Sequence, residues 1–433
     1  MEKILKSIDE IADKNQREIV IPDGYTAIGD SAFKNCTSLV SVVIPDSVTW
    51  IGSWAFSRCT SLASVVIPDS VTDIGDSAFE GCTSLASVVI PNSVTEIGMW
   101  AFKGCTSLTS VVIPNSVTTI GKAAFGGCNL LERIDVASGN PSFRVIDGAL
   151  YSKDQTILLC VPGTVKSFQI PDSVTKIGGG AFEGCTSLVS VVIPDSVSEI
   201  GAWAFRDCTS LVSVVIPDSV TEIGTWAFEG CSSLASVVIP DSVSEIGYKA
   251  FNGCTSLASV VIPDSVTKIG NWAFNGCTSL ASVVIPDSVT EIGESAFEGC
   301  NLLERIDVTS DNPSFRVIDG ALYSKDQTIL LRVPGTVKSF QIPKSVIKIG
   351  DRAFAGCTSL ASVVIPDSVT EIGNWAFKGC TSLASVVIPD SVTKIGKSAF
   401  KGCTSLASVV IPHSARWNKK TFGNGPKLTI TRR

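Results

Sequence analysis

Histidine is almost missing from this chain: His413 is the single copy among 433 residues. Acyl-transfer and thiol chemistry usually set an imidazole beside the nucleophile, so Ser-His and Cys-His catalysis are disfavoured at once. The phosphate-cradling patterns G-x-x-x-x-G-K-[ST] and G-x-G-x-x-G are absent. There is no run of 18 apolar residues, hence no candidate membrane span. Basic residues are outnumbered, 34 against 41 acidic, and the net charge of −7 argues against nucleic acid or an anionic membrane as partner. No two cysteines stand in Cys-x-x-Cys spacing, so the 15 present do not read as a zinc site. No pair of carboxylates is singled out for acid–base work. These absences point away from an enzyme and imply neither cofactor nor metal.

What the chain has is repetition. The stretch Leu62–Cys82, L-A-S-V-V-I-P-D-S-V-T-D-I-G-D-S-A-F-E-G-C, returns with small changes along nearly the whole length. Ile-Pro pairs recur every 23 residues from Ile21 to Ile113, from Ile170 to Ile285 and from Ile342 to Ile411. The two gaps are both 57 residues, 23 plus 34, and each hides two more rungs. Leu131, Ile134 and Val136 fit the strand template, as do Val165, Phe168 and Ile170. Leu303, Ile306 and Val308, then Val337, Phe340 and Ile342, do the same in the second gap. The total is about 17 rungs. A period of 20–29 with Leu-x-x-Leu-x-Leu spacing is the signature of a leucine-rich repeat.

One repeat cannot bury its apolar face alone, so neighbours must stack. Alternation along a strand turns Leu39, Val42 and Ile44 inward and Ser41 and Val43 outward. Pro45 ends the strand, Asp46 and Ser47 suit a turn, and Val48 and Ile51 return to the core. Gly52 permits a bend, and Ala55 and Phe56 begin a short helical or 3₁₀ piece that closes at Cys59. Strands about 4.8 Å apart give a continuous parallel sheet roughly 80 Å long, with antiparallel pairing only in the inserts and the C-terminal cap. The expected organisation is an N-terminal capping helix over 1–15, a solenoid over 16–411 with long inserts at about 137–164 and 309–336, and a C-terminal cap over 412–433. Ile4, Leu5, Ile8, Ile11 and Ala12 would line one face of a helix over 2–14, and Leu428 and Ile430 would add a last short strand. The basic cluster Arg416, Lys419, Lys420, Lys427, Arg432 and Arg433 reads as a solvated cap.

The cell C-T-S-L-x-S-V-V-I-P-D-S-V-T-x-I-G-x-x-A-F-x-G resembles the BspA-type leucine-rich repeat family over roughly residues 16–430. The longer units with N-P-S-F-R-V-I-D-G-A-L-Y-S-K-D resemble that family too. The resemblance implies an α/β-type repeat solenoid and a non-enzymatic surface or secreted protein that adheres to host extracellular proteins or to cells. The opening M-E-K-I-L-K-S-I-D-E has no apolar h-region, so either the protein acts inside the cell or a leader has been removed. A structural spacer or surface-layer element without a specific ligand is the alternative.

Fourteen of the cysteines form one column from Cys36 to Cys403, with Cys160 outside it. Side chains in a stacked column run parallel rather than converging, which argues against disulfides and for a ladder of buried thiols. Cys160 is the expected exposed exception, because Arg332 takes its place in the second copy. Residues 128–178 and 300–350, offset by 172, differ at only five positions: Ala137/Thr309, Gly139/Asp311, Cys160/Arg332, Asp172/Lys344 and Thr175/Ile347. Exposed positions match as well as buried ones, which indicates an internal duplication. Within each insert F-R-V-I, Asp-Gly and A-L-Y-S read as a hairpin.

The inserts change the outward face. Ser and Val give way to Arg133 and Asp135, then to Arg305 and Asp307, and Gln169 and Gln341 follow. With Tyr151 and Tyr323 on the hairpins, these residues are the candidate partner-binding set for a protein or other macromolecule; a local Arg–Asp pair supporting the hairpin is the plainer explanation. Two such sets in one chain suit a repetitive ligand, since the second contact gains effective concentration from the first. A second candidate stripe is the column Trp54, Trp100, Trp203, Trp226, Trp272 and Trp375, set against rings that simply lie over their neighbours. An Asp column running from Asp46 and Asp69 to Asp390 is expected to accept backbone N–H groups in turns rather than collect cations.

Overall fold

The computed structural model describes residues 3–418, 420–422 and 428–432. The chain divides into two compact units, 1–213 with 222–231 and 214–221 with 232–433. Each unit is a parallel β-solenoid of coils about 23 residues long.

The strand-to-turn path follows the alternation in the sequence. Leu39, Val42, Ile44, Val48, Ile51, Phe56 and Cys59 are all buried, while Val43 is exposed. In the first unit Glu18–Val20, Ser41–Val43, Ser64–Val66, Ser87–Val89, Ser110–Ile113 and Arg133–Val136 pair in parallel as one six-stranded sheet. A second sheet of two-residue strands, including Trp50–Ile51, Asp73–Ile74 and Glu96–Ile97, runs beside it. Gly52 lies where this second strand turns: a Cβ there would come within 2.7 Å of the Asp30 nitrogen, so close approach of the preceding rung requires glycine.

The face expected to be helical is not. Each coil there is a run of tight turns with residues of positive φ, as at Trp54 (φ 55) and Arg58 (φ 60), which a helix cannot contain. Alternate amides leave the coil for the next rung: the Trp54, Phe56 and Arg58 nitrogens donate to the carbonyls of Asp76, Ala78 and Glu80 at 2.8, 2.7 and 2.6 Å. The intervening amides bond within the turn, as Ala55 does to Gly52 at 3.2 Å. These backbone-to-backbone donors therefore point toward the C-terminal neighbour.

The terminal segments complete these ladders. In place of a helix over 2–14, Ile4–Leu5 pairs with Ala27–Ile28 and a single 3₁₀ turn covers Ile8–Glu10, closed by a Ser7/Glu10 capping box. Glu2 itself lies outside the described residues. The reason is accounting: the Ala32 carbonyl needs a donor, and the Ile8 nitrogen supplies it at 2.9 Å. At the other end Thr429–Arg432 forms the expected last strand, but parallel to Ser408–Ile411 rather than antiparallel. The Thr421 carbonyl takes the bond offered by Phe400. Of the basic cluster, Lys419, Lys427 and Arg433 lie outside the described residues.

Phe rings stack along the core: Phe33, Phe56, Phe79 and Phe102 follow one another at 4.9–5.3 Å with planes within 6°. Column thiols within a run of regular rungs donate to the carbonyl of the Phe on the rung before, Cys59 Sγ to Phe33 at 3.1 Å and Cys82 Sγ to Phe56 at 3.2 Å, whereas Cys185 and Cys357, which follow the inserts, reach the carbonyls of Val161 and Val333 at 3.6 Å. All 15 cysteines are free and buried.

The inserts contain the expected hairpins, Phe143–Ile146 with Ala149–Ser152 and Phe315–Ile318 with Ala321–Ser324. A third strand, Ile157–Cys160 or Ile329–Arg332, returns antiparallel and then pairs in parallel with the next rung. The expected continuous sheet is interrupted here: Arg133–Val136 ends its sheet, and the next begins at Ser167–Gln169. On the turn face the flanking rungs still touch, with Ala123 and Gly127 nitrogens bonded to the carbonyls of Gly179 and Glu183 at 3.0 and 2.7 Å. The insert is thus a wedge, opening one side of the coil stack and leaving the other closed.

Candidate recognition site

Arg133–Val136 is positioned by Ser110–Ile113, with Arg133 opposite Ser110 and Asp135 opposite Val112. In the second unit Arg305 lies opposite Ser282 and Asp307 opposite Val284. Both positions face outward because the strand alternates. Arg133 Nε meets Asp135 Oδ2 at 2.6 Å, and Arg305 Nε meets Asp307 Oδ2 at 2.6 Å. The arginine side chains remain 72 % and 66 % exposed. Gln169 pairs in register with Val192, Gln341 with Val364, and both glutamines are exposed. Beside these polar positions runs a stripe of exposed valines, Val43, Val66, Val89 and Val112 in the first unit. The first Arg/Asp pair therefore sits at the end of a valine-striped sheet, and the second at the end of a two-stranded sheet with exposed Val284.

Tyr151 and Tyr323 leave the set. Both are fully buried, because the strands carrying them fold inward between rungs. The Tyr151 hydroxyl has no partner, and burial pushes its phenol up to about 12.

The Trp column sits at a position of left-handed backbone, φ 52–59 at Trp54, Trp100, Trp203, Trp226, Trp272 and Trp375. Trp54 is 41 % exposed and the others are half-buried. The rings lie over neighbours: Trp100 meets Trp203 edge-on at 5.4 Å across Ala123 and Gly180, which carry too little side chain to separate them. Trp203 stacks on Trp226 at 5.3 Å, and the Arg352 guanidinium covers Trp375 at 4.4 Å. In the Asp column, Asp69 and Asp172 make none of the expected bonds to backbone N–H. The neighbouring serines work instead, Ser70 Oγ donating to the Val48 carbonyl at 2.6 Å. Among the described residues no group of His, Cys, Asp or Glu could hold a metal ion.

Cys160, expected to be exposed, is 7 % exposed, and burial pushes its thiol up to about 12. Arg332 is equally buried. It occupies the same place because its Nη1 donates to the carbonyls of Arg352 and Ala355, at 3.2 and 2.9 Å. Each wedge leaves a cavity. The first, about 180 Å³, is lined by Ile120, Phe125, Leu150, Ile157, Leu159 and Cys160. The second, about 280 Å³, is lined by Phe297, Phe315, Leu322, Leu331, Arg332 and Arg352 among others.

A carboxylate beside each wedge, Glu183 buried and Glu298 half-buried, escaped the sequence reading. Glu183 accepts from Lys103 at 2.8 Å and lies 3.5 Å from Arg206; Glu298 holds Lys378 at 2.9 Å and Arg352 at 3.2 Å. The two are not equivalent by the 172-residue offset, which aligns Glu183 with Ala355 and Glu298 with Gly126. A Cβ on Gly126 would stand 2.5 Å from Glu183 Oε2, so the carboxylate fills that space from the rung above in one copy. In the other it comes from the rung below. Extending the comparison of copies past residues 128 and 178 would have shown this exchange.

The family described as "BspA type Leucine rich repeat region (6 copies)" matches residues 10–136, 162–260, 244–329 and 334–431. The chain belongs to the BspA-type leucine-rich repeat family. Among solved structures, this BspA-type chain is similar to a leucine-rich repeat protein from Eubacterium ventriosum, at 24 % identity and TM-score 0.52, covering 96 % of this chain and 88 % of that one. That likeness concerns the fold alone. A leucine-rich repeat protein from Bacteroides ovatus matches at 29 % identity and TM-score 0.43, over 98 % and 93 % of the two chains. A leucine rich cell surface protein from Faecalibacterium prausnitzii matches at 27 % and 0.48, over 96 % and 88 %. None of the curated proteins matches. BspA-type repeats, like other leucine-rich repeats, are scaffolds for interaction, and no helix among the described residues is long and apolar enough to cross a membrane.

Proposed function

We propose that this BspA-type protein is a non-catalytic binder of extracellular protein, gripping its partner on the Ser/Val faces where the inserts interrupt them. The observation that carries this reading is the pair of exposed Arg–Asp sets: Arg133 with Asp135 ends a six-stranded sheet striped with exposed valine, and Arg305 with Asp307 ends a two-stranded sheet bearing exposed Val284. An exposed ion pair adds only about 0–1 kcal/mol to stability, so support of the hairpin is a weak reason for its presence. Exposed valines in rows are likewise unfavourable in water until something covers them. Gln169 and Gln341 add hydrogen-bonding groups at the start of the following sheets. The Trp column is the less favoured surface, since Trp100, Trp203 and Trp226 lie against one another and Arg352 covers Trp375.

The test is surface plasmon resonance against a panel of purified extracellular-matrix proteins, with Arg133→Glu and Arg305→Glu made singly and together. Each single change is expected to weaken binding about three- to tenfold, mainly through the rim charge. The double change removes the avidity of two sites on one chain. A double variant that binds like the parent overturns the assignment, and a parent that binds no panel member supports the spacer reading instead.

A further inference from the structure

Each insert takes the acceptor from one buried Phe amide. On regular rungs the Phe nitrogen donates to the alanine carbonyl of the next rung, as Phe102 does to Ala124 and Phe182 to Ala204, both at 2.8 Å. The acceptor due to Phe125 is the Ala181 carbonyl, but the Val161 nitrogen of the insert holds it at 2.8 Å. Phe125 is 3 % exposed, and its N–H has no partner among the described residues. In the second copy Val333 takes the Ala353 carbonyl from Phe297 in the same way. A buried N–H left unpaired is costly, so an acceptor that reaches it is favoured. The Phe amides on this face are directed at the C-terminal neighbour, and beside Phe125 that neighbour is the wedge with the first cavity.

The wall of this cavity is apolar, with Ile120, Phe125, Leu150, Ile157 and Leu159 around the Cys160 thiol. Its lining holds no carboxylate. The charged groups in it are Lys122, which is exposed, and Lys176, which pairs with Glu199 at 2.7 Å with its side chain 37 % exposed. Water screens both, so they offer little to a ligand inside. Glu183 stands just behind the wall: a Cβ on Gly126 or Gly180 would lie 2.5 or 3.2 Å from its Oε2, an oxygen without a partner. That carboxylate disfavours an anion in the cavity. At roughly 30 Å³ for each water-sized group, about 180 Å³ has room for about six non-hydrogen atoms. The second cavity is different in kind, because Glu294, Glu298, Asp351, Arg332 and Arg352 all stand in its wall.

We infer that the first cavity is a binding site for a small neutral molecule with an apolar body and one oxygen acceptor, a short ketone or cyclic ketone, whose oxygen accepts from the Phe125 N–H and whose body packs on Leu150, Ile157 and Leu159. A wholly apolar guest fills the space but leaves the amide unpaired. Nothing in this inference depends on the recognition surface proposed above.

Cyclopentanone is the probe, with cyclopentane as the guest that lacks an acceptor and isobutyrate as an anion of like size, each titrated calorimetrically into the full chain. Cyclopentanone is expected to bind at one site, at least threefold more tightly than cyclopentane, as one neutral hydrogen bond gives, and at least tenfold more tightly than isobutyrate. Labelling phenylalanine with nitrogen-15 supplies a second readout. The Phe125 amide is expected to shift on addition of cyclopentanone while the Phe297 amide, beside its charged wall, stays in place. Cys160→Arg, which installs the residue of the other copy, is expected to abolish binding. No binding of cyclopentanone, equal binding of cyclopentane, tighter binding of isobutyrate, or an unmoved Phe125 amide would each overturn the inference. The comparison of the three probes on the unaltered protein decides the matter even if the variant fails to fold.

Discussion

Each coil holds a residue in left-handed backbone one position before the buried alanine, and this residue is usually not glycine. Trp100, Ala123, Lys249, Ser295 and Arg352 all occupy it at φ 52–59. An L-residue there costs roughly 1–2 kcal/mol, which ring stacking at the Trp positions offsets in part. Ser77 has no such return: it is fully buried at φ 54 and its hydroxyl has no partner. Ser77→Gly is therefore expected to stabilise the protein by about 1 kcal/mol, read as a higher urea midpoint. Gly81→Ala is expected to destabilise it by about the same amount, because Gly81 has φ 71 and a Cβ would find its nearest atom at a tolerable 3.4 Å. If both changes lower stability, the backbone explanation fails. The sequence showed this column only as a place that tolerates Trp, Ser or Lys. Nothing in side-chain chemistry signals a left-handed backbone when the residue is not glycine.

At the level of elements, the wedge hangs on one side chain in each copy. Asn140 is fully buried and all its groups are used. Its amide donates to the carbonyls of Pro114 and Val117 at 2.7 and 3.0 Å, and its oxygen accepts from the Ser142 and Phe143 nitrogens at 2.8 Å. Asn312 repeats the pattern on Pro286 and Val289. Asn140→Ala strands four buried backbone groups, so a loss of about 2–4 kcal/mol is expected, concentrated in the first hairpin. Hydrogen exchange should speed up for 143–152 while 315–324 stays protected; uniform acceleration would show that the asparagine does not hold the hairpin alone. Strands, hairpins and the inward set Leu39, Val42 and Ile44 were legible because alternation and Asp-Gly turns act locally. The N-terminal strand was not, because Ile4, Leu5 and Ile8 satisfy a helical spacing too, and the deciding partner, the Ala32 carbonyl, is remote in sequence. Arg133 and Asp135 could be placed outward by alternation alone, whereas the burial of Tyr151 depends on where the third insert strand returns.

For the molecule as a whole, the thiol ladder sets a pH limit. An unfolded cysteine titrates near 8.5, whereas burial pushes Cys82 and Cys160 to about 12 and raises Cys105, Cys185 and Cys277 as well. A folded-state value above the unfolded one means the contribution is complete below about pH 8.5 and declines as pH rises toward 12. Each such thiol then removes up to about 1.4 kcal/mol per pH unit. The urea midpoint is expected to hold between pH 6 and 8 and to drop steeply by pH 10; a flat profile across that range would mean the thiols are not buried in solution. Alkylation under native conditions at pH 8 should leave Cys160 as protected as the column.

The claim that the interrupted sheet faces take the partner is tested most directly by hydrogen–deuterium exchange on the full chain, free and bound to whichever matrix protein it captures. Protection is expected in peptides covering 110–136 and 167–169, and again in 282–308 and 339–341. Protection confined to the turn face, in peptides carrying Trp54, Trp203 and Trp375, with those strands unchanged, would contradict it.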